Sequence, residues 1–277
     1  MYKLPLIYRF ARALCRLAFP FFINKRLVEG LQNIPDDRPI LLATNHPNSF
    51  FDAVLIGVHL QRPIYTLTRA DVFRKPMVAK MLRGIKLIPV FRASEGGREY
   101  LNNNDQTFAE CMAVFQQNGI VVIFAEGICL NQTELLPLKK GVVRLAQQAW
   151  ENPKIGDRLL VVPGGLWYSS FTKSKKNAAL RIGKPIEKSE SAVQNLMQRL
   201  TDELIVLTAA PALGSGSRWI FRLGQIVNFP VDALCQYYAR KFTAKTVFYD
   251  SVRFGFLMVT LPIYWILLLF LAMYCCL

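Results

Sequence analysis

The residues best suited to chemistry are His46 and Asp52, which lie six positions apart in the stretch TNHPNSFFD. An imidazole with a pKa near neutrality can act as a general base, and a neighbouring carboxylate can fix its tautomer and stabilise the imidazolium. Pro47 disfavours the helical conformation for His46, so we expect a helix to begin only after the proline. Ser49 is a suitable N-cap for that helix, which leaves Asp52 in the first turn. From there the carboxylate can fold back towards a histidine held in the preceding loop.

A second interpretation gives Asp52 a purely structural role. Ser49 and Asp52 have the spacing of a capping box, in which two side chains satisfy the first N–H groups of a helix. These residues alone leave both interpretations open. The other histidine, His59, has no partner in the sequence and is predicted to be structural.

The elements that must position this pair follow a repeated pattern, an apolar strand and then a polar or glycine-rich loop. Residues 40–43 form a continuous apolar run, which is typical of a buried strand, and apolar residues at helical spacing follow from Phe51 to Val58. Loops at the carboxyl ends of strands are where α/β proteins place their chemistry. We therefore predict an α/β fold with a mixed central sheet flanked by helices. Further predicted strands, at 85–90, 120–124 and 159–162, are followed by Arg92, by Glu126–Gly127 and by Pro163–Gly164–Gly165. The last strand is expected to stop there, or to continue at Trp167–Tyr168 past a bulge.

The composition favours an anionic partner. Thirty-four basic residues against nineteen acidic ones give a net charge of +15, and 52% of the chain is hydrophobic. Such a charge is typical of proteins that bind nucleic acid, an anionic membrane or an anionic substrate. No zinc-ligand spacing and no RRM or KH signature is present, so we expect neither nucleic acid nor a metal as partner. The six cysteines have no framework spacing and are predicted to be reduced, facing the cytosol.

Two apolar segments flank the predicted catalytic region. Residues 2–23 predict an amphipathic helix with three arginines on one side, which lies either on a membrane or against the domain. Residues 254–277 are 24 residues without a charge, long enough to span a bilayer. Basic residues precede this segment and none follows, so the positive-inside rule predicts a catalytic domain on the cytoplasmic side. The segment is expected to be a tail anchor, or the sequence lacks further C-terminal residues.

Taken in order, the four strand-and-loop blocks resemble the glycerolipid acyltransferase family, which includes the glycerol-3-phosphate and 1-acylglycerol-3-phosphate (lysophosphatidic acid) acyltransferases. The resemblance covers roughly residues 25–190 and extends to the sequences LKKG, from Leu138, and IGKP, from Ile182. It implies that His46 is the general base and Asp52 its orienting carboxylate. It also implies substrate-binding roles for Asn45, Arg92, Glu126 and Gly127, the last three towards the glycerol phosphate.

The sequence departs from the common family pattern in two places. Five residues separate His46 from Asp52, where four are usual. That longer spacing resembles the fungal-type glycerol-3-phosphate/dihydroxyacetone-phosphate acyltransferases and their bacterial relatives. Ile128–Cys129 replaces the usual Thr–Arg after Glu–Gly, so one phosphate contact is missing, and Lys139 or Lys140 is predicted to supply it.

The resemblance implies a membrane-bound glycerolipid O-acyltransferase of phospholipid biosynthesis. The expected reaction moves a fatty acyl group from acyl-CoA or acyl carrier protein to glycerol 3-phosphate or dihydroxyacetone phosphate. Acylation of lysophosphatidic acid or another lysolipid is the alternative, followed by a thioester hydrolase or a non-catalytic membrane scaffold. The thioester is a co-substrate, so no bound cofactor is expected, and the expected partners are membrane lipids, the thioester donor and the phosphorylated acceptor.

We accordingly divide the chain into four regions. Residues 1–24 are predicted to be a membrane-associating helix and 25–211 the acyltransferase domain. Residues 212–253 are predicted to be an interfacial linker region and 254–277 a transmembrane segment.

Overall fold

The computed structural model describes residues 4–91, 104–173, 175–213 and 226–275. Arg92 therefore lies outside the described residues. The strands are β1 (Ile23–Glu29), β2 (Ile40–Thr44), β3 (Ile64–Arg69), β4 (Leu87–Val90), β5 (Ile120–Phe124), β6 (Leu160–Tyr168) and β7 (Lys176–Ile182). The helices are α1 (Leu6–Phe22), α2 (Phe50–His59), α3 (Pro76–Gly84), α4 (Asn104–Gln116), α5 (Gly141–Glu151), α6 (Glu190–Thr208), α7 (Phe229–Thr243) and α8 (Tyr249–Cys275).

The seven strands form one mixed sheet in the order β1-β7-β6-β2-β5-β3-β4. Neighbouring strands are parallel, except that β6 and β7 are antiparallel. The predicted α/β fold with a mixed central sheet is thus confirmed. β2 lies between β5 and β6, so the loops after β2 and β5 leave the sheet at the same edge.

Both faces of the sheet are covered by helices, which explains why β2 is a continuous apolar run. Successive side chains of a strand point to opposite faces. Ile40 and Leu42 pack in a core with residues of α1, α2 and α8, whereas Leu41 and Ala43 pack in a second core with residues of α4, α5 and α6.

Strand β6 runs without a break through Pro163 to Tyr168. The predicted stop at Pro163–Gly164–Gly165 was wrong, whereas the continuation through Trp167 and Tyr168 is confirmed, without the expected bulge. The strand changes partner there, pairing with β2 up to Gly164 and with β7 from Gly164 onwards. Pro163 lacks an N–H group, but its carbonyl accepts a hydrogen bond from the N–H of Gly183 at 2.9 Å. Gly165 allows α6 to approach closely, because a Cβ at this position would lie 2.4 Å from the carbonyl oxygen of Leu207.

The first helix packs on the domain and exposes part of its apolar surface. In α1 the side chains of Tyr8, Phe19 and Phe22 are buried, whereas those of Leu6 and Phe10 are exposed. The predicted N-terminal helix therefore packs on the domain along its length and also presents apolar side chains outward near its N-terminus.

The last helix, α8, begins at Tyr249, five residues before the uncharged segment that the sequence indicated. Its first turns contain charged residues because these are paired inside the protein. Arg253 donates two hydrogen bonds to Asp232 of α7, at 2.8 and 2.9 Å. The remainder of α8 is apolar and largely exposed, and the helix is long and apolar enough to cross a membrane.

Candidate active site

The loop between β2 and α2 brings His46 and Asp52 together. The Nδ1 atom of His46 lies 2.9 Å from Oδ2 of Asp52, which is in the first turn of α2. Ser49 is the residue before the helix and has a φ of +52°. A positive φ, here with a ψ of −136°, is uncommon for a residue with a side chain and turns the loop sharply into the helix.

Ser49 and Asp52 do not form the capping box that their spacing suggested. The Ser49 side chain makes no capping hydrogen bond, and its backbone N–H donates to the Sγ atom of Cys129 at 3.0 Å. Asp52 instead accepts a hydrogen bond from the backbone N–H of Asn48, at 2.8 Å. Asp52 therefore stabilises the loop and contacts the histidine ring at the same time.

The Asp52 carboxylate is fully buried and accepts a third hydrogen bond, from the Tyr168 hydroxyl to Oδ1 at 2.8 Å. Burial raises the pKa of Tyr168 well above its ordinary value, and the nearby Asp52 charge raises it further. The tyrosine thus remains a neutral donor. Because a carboxylate can only accept, the hydrogen on the His46 ring is placed on Nδ1, and Nε2 carries the lone pair.

One face of the His46 ring packs against β5. The ring stacks on Phe124 with 3.7 Å between ring centroids. The side chain is 12% exposed, and Nε2 has no hydrogen-bond partner among the described residues. A lone pair on this atom is available to take a proton from a bound hydroxyl group.

Glu126 connects the histidine loop with the loop that precedes α5. Its Oε2 accepts a hydrogen bond from the backbone N–H of His46 at 2.7 Å, and its Oε1 accepts one from Leu136 at 2.8 Å. Burial raises the pKa of Glu126, although both backbone donors oppose this change. In this structure the carboxylate holds the backbone of the histidine, and the predicted contact with a substrate stays a prediction.

The other predicted substrate-binding residues occupy different positions around the loop. The Asn45 amide is buried and exchanges two hydrogen bonds with the backbone of Leu166, at 2.9 and 2.8 Å. Gly127 has a φ of +67°, and a Cβ there would lie 2.8 Å from Cγ of Lys139. Lys139 and Lys140 are exposed immediately before α5. The predicted phosphate contact of Arg92 concerns a residue outside the described ranges.

Three further observations complete the site. Tyr168 and Asn48 contact Asp52 but were not singled out from the sequence. Tyr168 lies 116 residues from Asp52, and Asn48, although it is in the same loop, contacts Asp52 through its backbone N–H. His59, predicted to be structural, lies with Nδ1 2.8 Å from the carbonyl oxygen of Leu55 and its ring edge against Phe19. Within the described ranges, no group of three histidine, cysteine or acidic residues is placed to hold a metal ion.

Comparison with known proteins relates this site to one family. A profile of the family described as “Acyltransferase” matches residues 25–167. Glycerol-3-phosphate O-acyltransferase 2 of Saccharomyces cerevisiae is 30% identical over an alignment of 118 residues, and the match covers 38% of this chain and 16% of that protein. Lysophosphatidylcholine acyltransferase 1 of Rattus norvegicus is 28% identical over an alignment of 117 residues, and the match covers 41% of this chain and 20% of that protein. The chain thus covers only about a fifth or less of these curated relatives.

The fold also resembles a solved structure. The 1-acyl-sn-glycerophosphate acyltransferase PlsC from Thermotoga maritima superposes with a TM-score of 0.51 at 19% sequence identity. The likeness covers 73% of this chain and 81% of that one. It supports the assignment of the fold.

We predict that Tyr168→Phe lowers turnover by about tenfold, because Asp52 loses one of its three donors and holds the histidine ring less firmly. The measurement is kcat with a saturating acyl donor, together with the melting temperature. Tyr8→Phe is the matched control, since Tyr8 is also a buried tyrosine and its hydroxyl accepts a hydrogen bond from Ile64, away from Asp52. Equal turnover in the two variants would contradict a role for Tyr168 in the site.

Proposed function

Because the chain belongs to the acyltransferase family, as its motifs predicted, we propose that it moves a fatty acyl group from a thioester to a hydroxyl group of a glycerol phosphate. The observation that supports this most directly is the His46–Asp52 pair, with the carboxylate buried on Nδ1. Nε2 is left without a partner among the described residues, as a general base requires.

In the proposed reaction, Nε2 of His46 removes the proton of the acceptor hydroxyl as the oxygen attacks the thioester carbonyl carbon. A carbon–oxygen bond forms, the carbon–sulfur bond breaks, and the departing thiolate takes the proton from the imidazolium. Asp52 stabilises the imidazolium while it exists. The protein needs no covalent intermediate for this sequence of steps.

We further propose glycerol 3-phosphate or dihydroxyacetone phosphate as the acceptor. The five-residue spacing between His46 and Asp52 supports this choice, as does the similarity to the yeast protein named glycerol-3-phosphate O-acyltransferase 2. The phosphate would be bound by Arg92 together with Lys139 or Lys140, and the glycerol part by Glu126 and Gly127. A lysolipid acceptor is the second candidate, favoured by the similarity to a lysophosphatidylcholine acyltransferase.

The proposed location is a membrane, with α8 as the span and the exposed apolar side chains near the N-terminus of α1 on the lipid surface. The charge distribution around α8 favours a catalytic domain on the cytoplasmic side. There the enzyme would meet acyl-CoA or acyl carrier protein as donor, and the acylated product would enter the bilayer.

We expect His46→Ala to reduce kcat by on the order of 10²–10⁴-fold, because the acceptor hydroxyl loses its base. Free CoA release and formation of the acylated product are both followed with palmitoyl-CoA as donor. His59→Ala is the matched control, since it removes the other histidine and should leave turnover unchanged. A fully active His46→Ala enzyme would refute this mechanism.

The acceptor is tested by offering purified enzyme glycerol 3-phosphate, dihydroxyacetone phosphate and lysophosphatidic acid in separate assays. We expect product with one of the first two, and we expect Arg92→Ala to raise the KM for that acceptor at least tenfold while changing the KM for the donor less. The exposed Arg199 of α6 supplies the control, Arg199→Ala, with an unchanged acceptor KM. Product with lysophosphatidic acid alone would favour the second candidate, and CoA release without product would indicate a hydrolase.

The membrane location predicts that the full-length protein stays in the membrane pellet after a carbonate wash, because a spanning helix resists extraction. A peripheral protein serves as the control for complete stripping. Appearance of the full-length chain in the supernatant would show that α8 does not span the bilayer.

A further inference from the structure

The first turn of α8 is hydrogen-bonded to the catalytic loop. Asp250 accepts a hydrogen bond from the side-chain amide of Asn48, at 2.7 Å. The neighbouring Ser251 accepts one from the backbone N–H of Phe51 at 3.0 Å and donates one to the carbonyl oxygen of Asn48 at 3.2 Å. These contacts join residues about 200 positions apart and hold both sides of the turn at Ser49.

A buried lysine completes this arrangement. Lys176, the first residue of β7, donates a hydrogen bond to the same oxygen of Asp250 that accepts from Asn48. Both charged side chains are fully buried. The ammonium group lies 5.0 Å from the ring centroid of Phe22 and 5.9 Å from that of Phe51.

We propose that Lys176, Asp250 and Ser251 are positioning residues for the His46–Asp52 pair, so that the first turn of the C-terminal helix supports the catalytic loop. This inference rests on the proposed acyl transfer, because it assigns these three residues to the same site.

The geometry explains why the loop needs this support. Ser49 adopts a positive φ, a conformation that persists only where neighbouring contacts enforce it. The contacts from Asp250 and Ser251 fix Asn48, immediately before it, and the backbone of Phe51, two residues after it. A displacement of a catalytic group by about 1 Å can lower a rate by about 10²-fold, so loss of these contacts should affect turnover more than binding.

A purely structural role explains the cluster of Lys176, Asp250 and Ser251 less well than a positioning role does. A buried ion pair adds little net stability, because desolvation of both charges offsets their attraction. Moreover, Oδ1 of Asp250 and Oδ1 of Asn48 are buried without a hydrogen-bond partner in the described part of the chain. A cluster that served stability alone would be better replaced by apolar side chains, whereas orientation of the loop requires directional bonds.

The test compares five variants of the full-length protein in detergent. These are Asp250→Asn, Lys176→Met, the combination of these two changes, Ser251→Ala and Ser251→Thr. We expect each single change except Ser251→Thr to lower kcat by about 10- to 100-fold, with the acceptor KM within about threefold of the unmodified value. The double variant removes both buried charges, so its kcat should exceed that of either charge variant. Ser251→Thr retains the hydroxyl group and should keep most of the turnover that Ser251→Ala loses.

Asp232→Asn is the matched control. It breaks the ion pair that joins α7 to Arg253, about one helical turn beyond Asp250 in α8. We expect a lower melting temperature and an unchanged kcat. The positioning role is refuted if the single variants also show a lower melting temperature and an unchanged kcat. These variants are Asp250→Asn, Lys176→Met and Ser251→Ala.

A second measurement does not depend on activity. The chain contains two histidines, so a ¹⁵N-histidine spectrum has two sets of ring signals, and His59→Gln assigns them. The unmodified protein should show His46 protonated at Nδ1, and the share of this tautomer should fall in Asp250→Asn and Ser251→Ala but not in Asp232→Asn. An unmodified enzyme that acylates none of the acceptors would refute the proposed function, whereas unchanged His46 signals in the variants would refute the positioning role.

Discussion

Burial of the Asp52 carboxylate is the constraint on which the site depends. A buried carboxylate costs several kcal/mol unless donors surround it. Here three donors come from separate parts of the chain: the His46 ring, the backbone of Asn48 and the hydroxyl of Tyr168. The loop after β2, the first turn of α2 and the end of β6 therefore cannot move independently without leaving this carboxylate unpaired.

The order of the strands explains how these donors meet. β2 lies between β5, which ends level with it at Phe124, and β6, which extends past its end at Thr44. β5 leads directly to Glu126, which holds the backbone of His46. β6 continues four residues beyond its pairing with β2 and brings Leu166 to the Asn45 amide and Tyr168 to Asp52. The change of partner within β6 thus supplies one side of the site.

The sequence predicted those features that local patterns determine. The α/β fold follows from apolar runs, and the proximity of His46 and Asp52 follows from Pro47 and the start of a helix. Tyr168, Lys176 and Asp250 could not be found in this way, because their contacts span 116, 74 and 202 residues. The stop predicted at Pro163 was wrong since local rules ignore pairing, and Pro163 remains in a strand that changes partner. The start of α8 ahead of the uncharged segment likewise depends on charges that are paired inside the protein.

Helix α8 connects the buried catalytic loop with the apolar surface that is proposed to lie in the membrane. Its first turn holds Asp250 and Ser251 against the catalytic loop, while its apolar side chains from Ile263 onwards are largely exposed. Charged groups are costly in a bilayer, so the first turn stays with the protein when the remainder enters lipid, as proposed. Phe254 is buried just after the first turn, and the exposed apolar side chains follow from Ile263. About nine helical residues, or about 14 Å, separate these two positions. The catalytic loop would then lie within a few helical turns of the lipid, close to the surface into which an acylated product must pass.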